Sequence, residues 1–132
     1  MNKIDINNQT EMKIDQPSVK KIVRSVLKEK EINDSNVSIA FVGKQNIREL
    51  NKKYRKQDKA TDVLSFEGDE KGFLGEIIIA PEIVEQRGEC FQDDLRDVLI
   101  HAVLHLLGYD HIKQGDRAVM REEEKRLKNI NN

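Results

Sequence analysis

All three histidines of this 132-residue chain fall within one stretch, HAVLHLLGYDH, at positions 101, 105 and 111. Imidazole is a common ligand for metal ions, and spacing decides whether several imidazoles can share one ion. His101 and His105 are four apart on a helix-like pattern. Four steps of about 100° return close to the starting face, one turn further along the axis. His111 is six residues beyond and would lie on the wrong side of a continuing helix. Gly108 removes the conflict, because glycine ends helices in a left-handed turn that can swing the chain back. His101, His105 and His111 thus form a candidate three-nitrogen site. Three neutral nitrogens with a fourth position left for water suit a catalytic Zn²⁺, one ion per chain. Such an ion would lower the pKa of its bound water toward about 7 and polarise a substrate oxygen.

The spacing H-x₃-H-x₂-G-x₂-H is also that of the metzincin proteases, which need a glutamate directly after the first histidine as base. Here that position is Ala102, which can move no proton. Peptide hydrolysis by that route is not expected. A second feature lies upstream. Residues 44–59, KQNIRELNKKYRKQDK, hold seven Lys/Arg against two acids, a local excess of five in a chain of net charge −1. On charge alone this is a solvated helix face, but a compact basic patch also suits an anionic partner bound at one place.

Two segments together, HAVLHLLGYDH and YRKQDKATDVLSF (residues 54–66), resemble the YbeY-type endoribonucleases. These are bacterial metal-dependent RNases that act in ribosomal RNA maturation and ribosome quality control. The family pattern runs H-x-x-x-H-L-x-G-Y-D-H, with an upstream Y/W-R-x-x-D-x-P-T-D-V-L-S-F. The likeness extends over nearly the full chain. It implies that His101, His105 and His111 hold the metal and that Arg55, with His101, carries catalysis. The target it implies is single-stranded ribosomal RNA at the 3′ end of 16S rRNA. Ribosomal particles and ribosome-associated proteins are the implied partners. Lys52, Lys53, Lys56 and Lys59 then become candidate RNA contacts. Asp62 and Ser65 are expected to brace the loop that presents Arg55, and Asp110 to orient a histidine ligand. Ala60 and Glu67 stand where the family usually has proline, and Glu76 where aspartate is common; none of these departures removes a ligand or Arg55. For the cleavage itself, two nucleophiles stay open, an activated water or the ribose 2′-OH. Two other functions also stay open: a ribosome-binding assembly factor with a structural metal, and a metallo-hydrolase of peptides or small molecules.

The elements that must position these residues can be read from periodicity. KIDINNQ alternates Ile4 and Ile6 as a strand. In QPSVKKIVRSVLKEK, Val19, Ile22, Val23, Val26 and Leu27 mark one buried helix face, with Pro17 at its start. NVSIAFVG places Val37, Ile39 and Phe41 at period two. QNIRELNKKYR aligns Ile47, Leu50 and Tyr54 in a helix stripe with its basic residues outward. Two strands follow, DVLSFEG and GFLGEIII, the second so apolar that it should be central. Pro81 opens a short helix through about Gln86. DDLRDVLIHAVLHLL lines up Leu95, Val98, Leu99, Ala102 and Leu106, with Asp93 and Asp94 at the positive end of its dipole. GDRAVMREEEKRLKNI predicts a last, charged helix. This order predicts an α+β fold with a small mixed sheet of about four strands, helices packed on it and a zincin-like metal helix.

The length suits one domain over residues 1–132. There is no repeat or linker-like segment. No apolar run is long enough to span a bilayer, and MNKIDINNQT lacks the apolar core of a signal peptide. The single cysteine, Cys90, cannot form an internal disulfide, which agrees with a cytoplasmic protein, and it reads as a packing residue. Without partner-like heptads, a monomer is the default expectation.

Overall fold

Residues 2–109 and Leu127 are described by the structure, a computed structural model. The elements run β1 (Lys3–Asn8), α1 (Gln16–Glu29), β2 (Asn36–Phe41), α2 (Lys44–Arg55), β3 (Val63–Glu67), β4 (Phe73–Ile79), α3 (Pro81–Glu85) and α4 (Phe91–Leu106). Every element predicted within these residues is present. Of the predicted last helix only Leu127 is described; it is helical and buried in the main core.

Local chemistry explains the boundaries. The Asp15 carboxylate caps α1 by accepting from the Ser18 N–H at 3.1 Å, and Pro17 occupies the first turn, where no N–H is needed. Helix α2 stops where Lys56 turns left-handed at φ 61°, its N–H closing onto the Asn51 carbonyl.

The strands form one sheet in the order β1-β2-β4-β3, with β1-β2 and β2-β4 parallel and β3-β4 antiparallel. Alternation along each strand divides the apolar residues between two layers. Ile4, Val37, Ile39, Phe41, Ile77 and Ile79 face α1 and α4 and form the main core. Leu64 and Ile78 face the opposite way, under Ile47 of α2, with Leu50 and Phe66 packed alongside. Helices on both faces thus leave β4 buried from either side, so Ile77, Ile78 and Ile79 are all inside. That is why its sequence reads as an uninterrupted apolar run.

Helix α4 is buried more widely than one stripe predicts. Ile100, Val103 and Leu104 are as inaccessible as Leu99 and Ala102. Among the acids of its first turn, Asp93 pairs with Arg96 at 3.2 Å while Asp94 is buried. Gly75 of β4 is the point of closest approach. A Cβ there would stand 2.4 Å from the Phe66 carbonyl oxygen and 2.7 Å from Leu106 Cδ2. The missing side chain lets the β3 backbone close on β4 here, with Leu106 of α4 resting against the same point.

Two expectations are corrected. Cys90 is exposed, in the position that precedes α4, and is not a packing residue. Tyr54 is 52% exposed although it continues the Ile47–Leu50 stripe. The last turn of α2 lies beside β3, the edge strand, so a helix stripe that is buried over the sheet centre emerges at its rim.

Candidate active site at the edge of the sheet

The cleft that gathers the predicted chemistry is built at the outer rim of β3, where the two helix layers meet. From one face, α4 contributes His101 and His105; from the other, Arg55 arrives as the last residue of α2. Val63, Leu64 and Ser65 form the wall between them, enclosing about 180 Å³. Both histidines are half-buried, one helical turn apart, and open to the same space. Ala102 beside them is fully buried in the main core, so this position serves packing and not proton transfer.

The Arg55 side chain is exposed but not loose. Its Nη2 donates to the Ser65 carbonyl oxygen at 2.7 Å, and its guanidinium carbon lies 4.9 Å from the Phe66 ring centre. A planar cation over an aromatic face keeps its in-plane N–H groups available to an oxyanion.

The loop from α2 to β3 is tied at both ends. Asn51, almost wholly buried, donates to the Lys59 carbonyl at 2.9 Å. Asp62 accepts a short hydrogen bond from Arg87, just past α3, and its backbone carbonyl accepts from the Ala80 N–H at 2.9 Å. Ser65 holds Arg55 through its backbone, not its hydroxyl. Arg48 of α2 donates to Asp58 on the same loop at 2.9 Å, and that bond and charge hold the Asp58 carboxyl below the usual aspartate range. Lys52, Lys53, Lys56 and Lys59 are all exposed along the end of α2 and this loop; none lines the cleft itself. Asn51 and Arg87 carry no signal in the sequence, since each acts on a backbone or side chain brought near by the fold.

Helix α4 ends as Gly108 predicts. Gly108 has φ 99°, its N–H bonds the His105 carbonyl at 3.0 Å, and the Tyr109 N–H bonds the Leu104 carbonyl at 3.1 Å. This pair of bonds is a Schellman turn, which ends the helix with a left-handed residue three past His105. His111 and Asp110 lie outside the described residues. Among the described residues no group of three metal-ligating side chains forms. The two histidines nonetheless fit an N-ligated ion. They stand at i and i+4 on a rigid helix, line one cleft, and are followed by a left-handed glycine turn that ends the helix.

Fold and cleft together define a class: a small α+β domain that presents a helix-borne histidine pair beside an arginine. Known proteins resemble this chain in sequence and in fold. The family model described as Endoribonuclease YbeY matches residues 5–131. Endoribonuclease YbeY of Clostridium botulinum (strain 657 / Type Ba4) is 38% identical, over 98% of this chain and 93% of that protein. The Finegoldia magna protein of the same name is 39% identical over 90% and 86%. The solution structure of TM1509 from Thermotoga maritima superposes with a TM-score of 0.67 at 32% identity, covering 97% of this chain and 87% of the other. The chain belongs to the YbeY endoribonuclease family, and membership places it among the endoribonuclease enzymes.

Proposed function

We propose that this protein is a metal-dependent endoribonuclease that cuts single-stranded RNA, with ribosomal RNA at the 3′ end of 16S rRNA as its target during ribosome maturation and quality control. One observation carries the reading: Arg55, at the end of a strongly basic helix, shares a cleft with His101 and His105. A zinc ion held by His101, His105 and His111 would supply Lewis-acid polarisation of a phosphate oxygen. Arg55 meets the negative charge that builds on the phosphoryl oxygens as the phosphodiester is broken. To do so its guanidinium exchanges the Ser65 carbonyl for two phosphoryl oxygens, a stronger, charge-assisted pairing. The exposed Lys52, Lys53, Lys56 and Lys59 extend the positive surface along the approach of the strand.

Ala102, standing where a glutamate base would adjoin the first histidine, favours a second reading, a ribosome-binding factor without nuclease activity of its own. The two separate in one experiment. Tag-free protein is analysed for metal and assayed on ribosomal RNA, as wild type and as Arg55→Ala. The variant should keep its metal and lose roughly 10²–10³-fold in cleavage rate, the usual cost of one lost oxyanion donor. Undiminished cleavage by Arg55→Ala would remove Arg55 from the mechanism. Fully loaded wild type that binds ribosomal particles and cuts nothing would establish the second reading.

A further inference from the structure

The ring of Tyr54 is exposed where α2 runs off the rim of the sheet, and it packs against Phe66. Among the described residues it is the one large hydrophobic side chain that is exposed. It stands alone, so it is no part of the contiguous apolar patch that a protein partner would need. Its neighbours are cations and one further ring. Lys53 Nζ lies 5.1 Å from the Tyr54 ring centre. The Phe66 ring meets Tyr54 at 5.4 Å with a 71° interplanar angle, and Phe66 in turn carries the Arg55 guanidinium at 4.9 Å. The result is a row on the protein surface, Lys53–Tyr54–Phe66–Arg55, that runs from the basic face of α2 to the cleft.

An exposed aromatic ring bracketed by positive charges has the chemistry of a platform for an unpaired nucleobase. The ring offers a flat apolar face, and the cations take the phosphates on either side of the stacked base. Double-stranded RNA hides its base faces, so such a platform selects single strands. Phe66, wedged edge-on against Tyr54, limits the ring's rotation and so lowers the entropy lost when a base stacks.

We infer that Tyr54 is a base-stacking subsite, which holds a nucleobase of single-stranded RNA next to the phosphate that Arg55 grips. This rests on the endoribonuclease reading of the cleft and adds to it a register: one nucleotide near the cut is fixed by its ring, whatever its sequence. Tyr54 and Arg55 both lie against the Phe66 ring, at 5.4 and 4.9 Å, so the stacked base and the gripped phosphate belong to the same or neighbouring nucleotides.

The test uses single-stranded oligoribonucleotides in which 2-aminopurine replaces one base, moved stepwise along the strand, with the full chain as wild type, Tyr54→Ala, Tyr54→Leu and Tyr54→Trp. Stacking quenches 2-aminopurine fluorescence. Wild type should quench at one position relative to the cut and not at its neighbours. Tyr54→Ala and Tyr54→Leu should lose that quench and raise KM about tenfold with kcat little changed, and Tyr54→Trp should restore both. The leucine variant keeps an apolar contact with Phe66, so equal failure of Leu and Ala with intact circular dichroism isolates the ring face. A leucine variant that binds and quenches as wild type does, or quenching alike at every position, would overturn the subsite. Cleavage that proceeds with no effect of any Tyr54 variant overturns the subsite alone. Position-specific quenching without cleavage overturns the nuclease reading and keeps the subsite. Neither binding nor cleavage removes both.

Discussion

Alanine at Gly75 should damage this protein far more than alanine at Gly108, and the difference can be worked out in advance. At Gly108 a Cβ would meet nothing within 4 Å, so only the left-handed backbone at φ 99° opposes the substitution. That conformation costs an L-residue about 1–2 kcal/mol, and the stiffer unfolded chain returns about half a kcal/mol. The net loss is about 1 kcal/mol. At Gly75 the backbone strain is of the same order, with φ 151°, but the Cβ also lands 2.4 Å from the Phe66 carbonyl, 2.7 Å from Leu106 Cδ2 and 3.2 Å from the Gly68 nitrogen. Two of those three atoms are backbone and cannot rotate away. Overpacking of this kind adds roughly 1–3 kcal/mol, so the loss at Gly75 is about 2–4 kcal/mol. Urea unfolding followed by circular dichroism reads both values from the shift in midpoint at constant slope. The strain also falls on β3, which carries the Ser65 carbonyl, so Gly75→Ala should weaken RNA cleavage even where the protein remains folded. Equal destabilisation by the two substitutions, to within about 0.5 kcal/mol, would refute the claim that β3 and Gly68 close on β4 this tightly only because residue 75 has no side chain.

Other outcomes follow from the site. His101→Ala and His105→Ala should each lose most bound metal when purified without a tag, and a chelator should abolish cleavage by the wild type; full metal content in either variant would exclude that histidine as a ligand. Arg87→Ala frees Asp62 at the end of the Arg55 loop. It should cost no more than about 1 kcal/mol in stability, as expected of a partly exposed pair, but several-fold in RNA cleavage, with the two effects separated by urea unfolding and a rate assay. For Asp58, the Arg48 contact lowers the folded pKa. Its stabilisation is therefore complete above the ordinary aspartate pKa, near 4, and is lost as pH falls through the depressed folded value. A carboxyl-carbon NMR titration should show that low midpoint in the wild type and its return upward in Arg48→Ala. Cys90, being exposed, should react with a thiol reagent in the native protein as fast as in urea, whereas a buried thiol would react only after unfolding.

Much of this structure can be read from the order of residues alone, because periodicity reports which face of an element is apolar. The stripes of α1 and α4, the alternation of β2 and the solid apolar run of β4 are of this kind. So is the end of α4, where a glycine in the right place after the last buried leucine predicts the turn that forms. Periodicity does not report what covers a face. Tyr54 continues the stripe of Ile47 and Leu50, yet nothing in the sequence says that β3 is an edge strand and that the stripe runs off it. The same limit hides the ties around the cleft. Arg87 meets Asp62 across 25 residues, and Arg55 finds a backbone carbonyl of Ser65, an acceptor every residue offers. The likeness of HAVLHLLGYDH and YRKQDKATDVLSF to one family named the histidines and Arg55 together. The meeting of His101, His105 and Arg55 at one rim, from opposite faces of a sheet, became visible only in three dimensions.

The hold of Arg55 on the Ser65 carbonyl has a further consequence. An edge strand offers its unpaired backbone groups to any extended chain that passes, and β3 is such an edge. With a guanidinium seated on one of these carbonyls, a second strand cannot add there without displacing a charge. The arginine that the proposed mechanism sets against the phosphate would also, between substrates, guard against edge-to-edge association. Replacing it with a small neutral residue exposes a template for aggregation along with an incomplete cleft, and a charged but shorter-reaching lysine would separate those two losses.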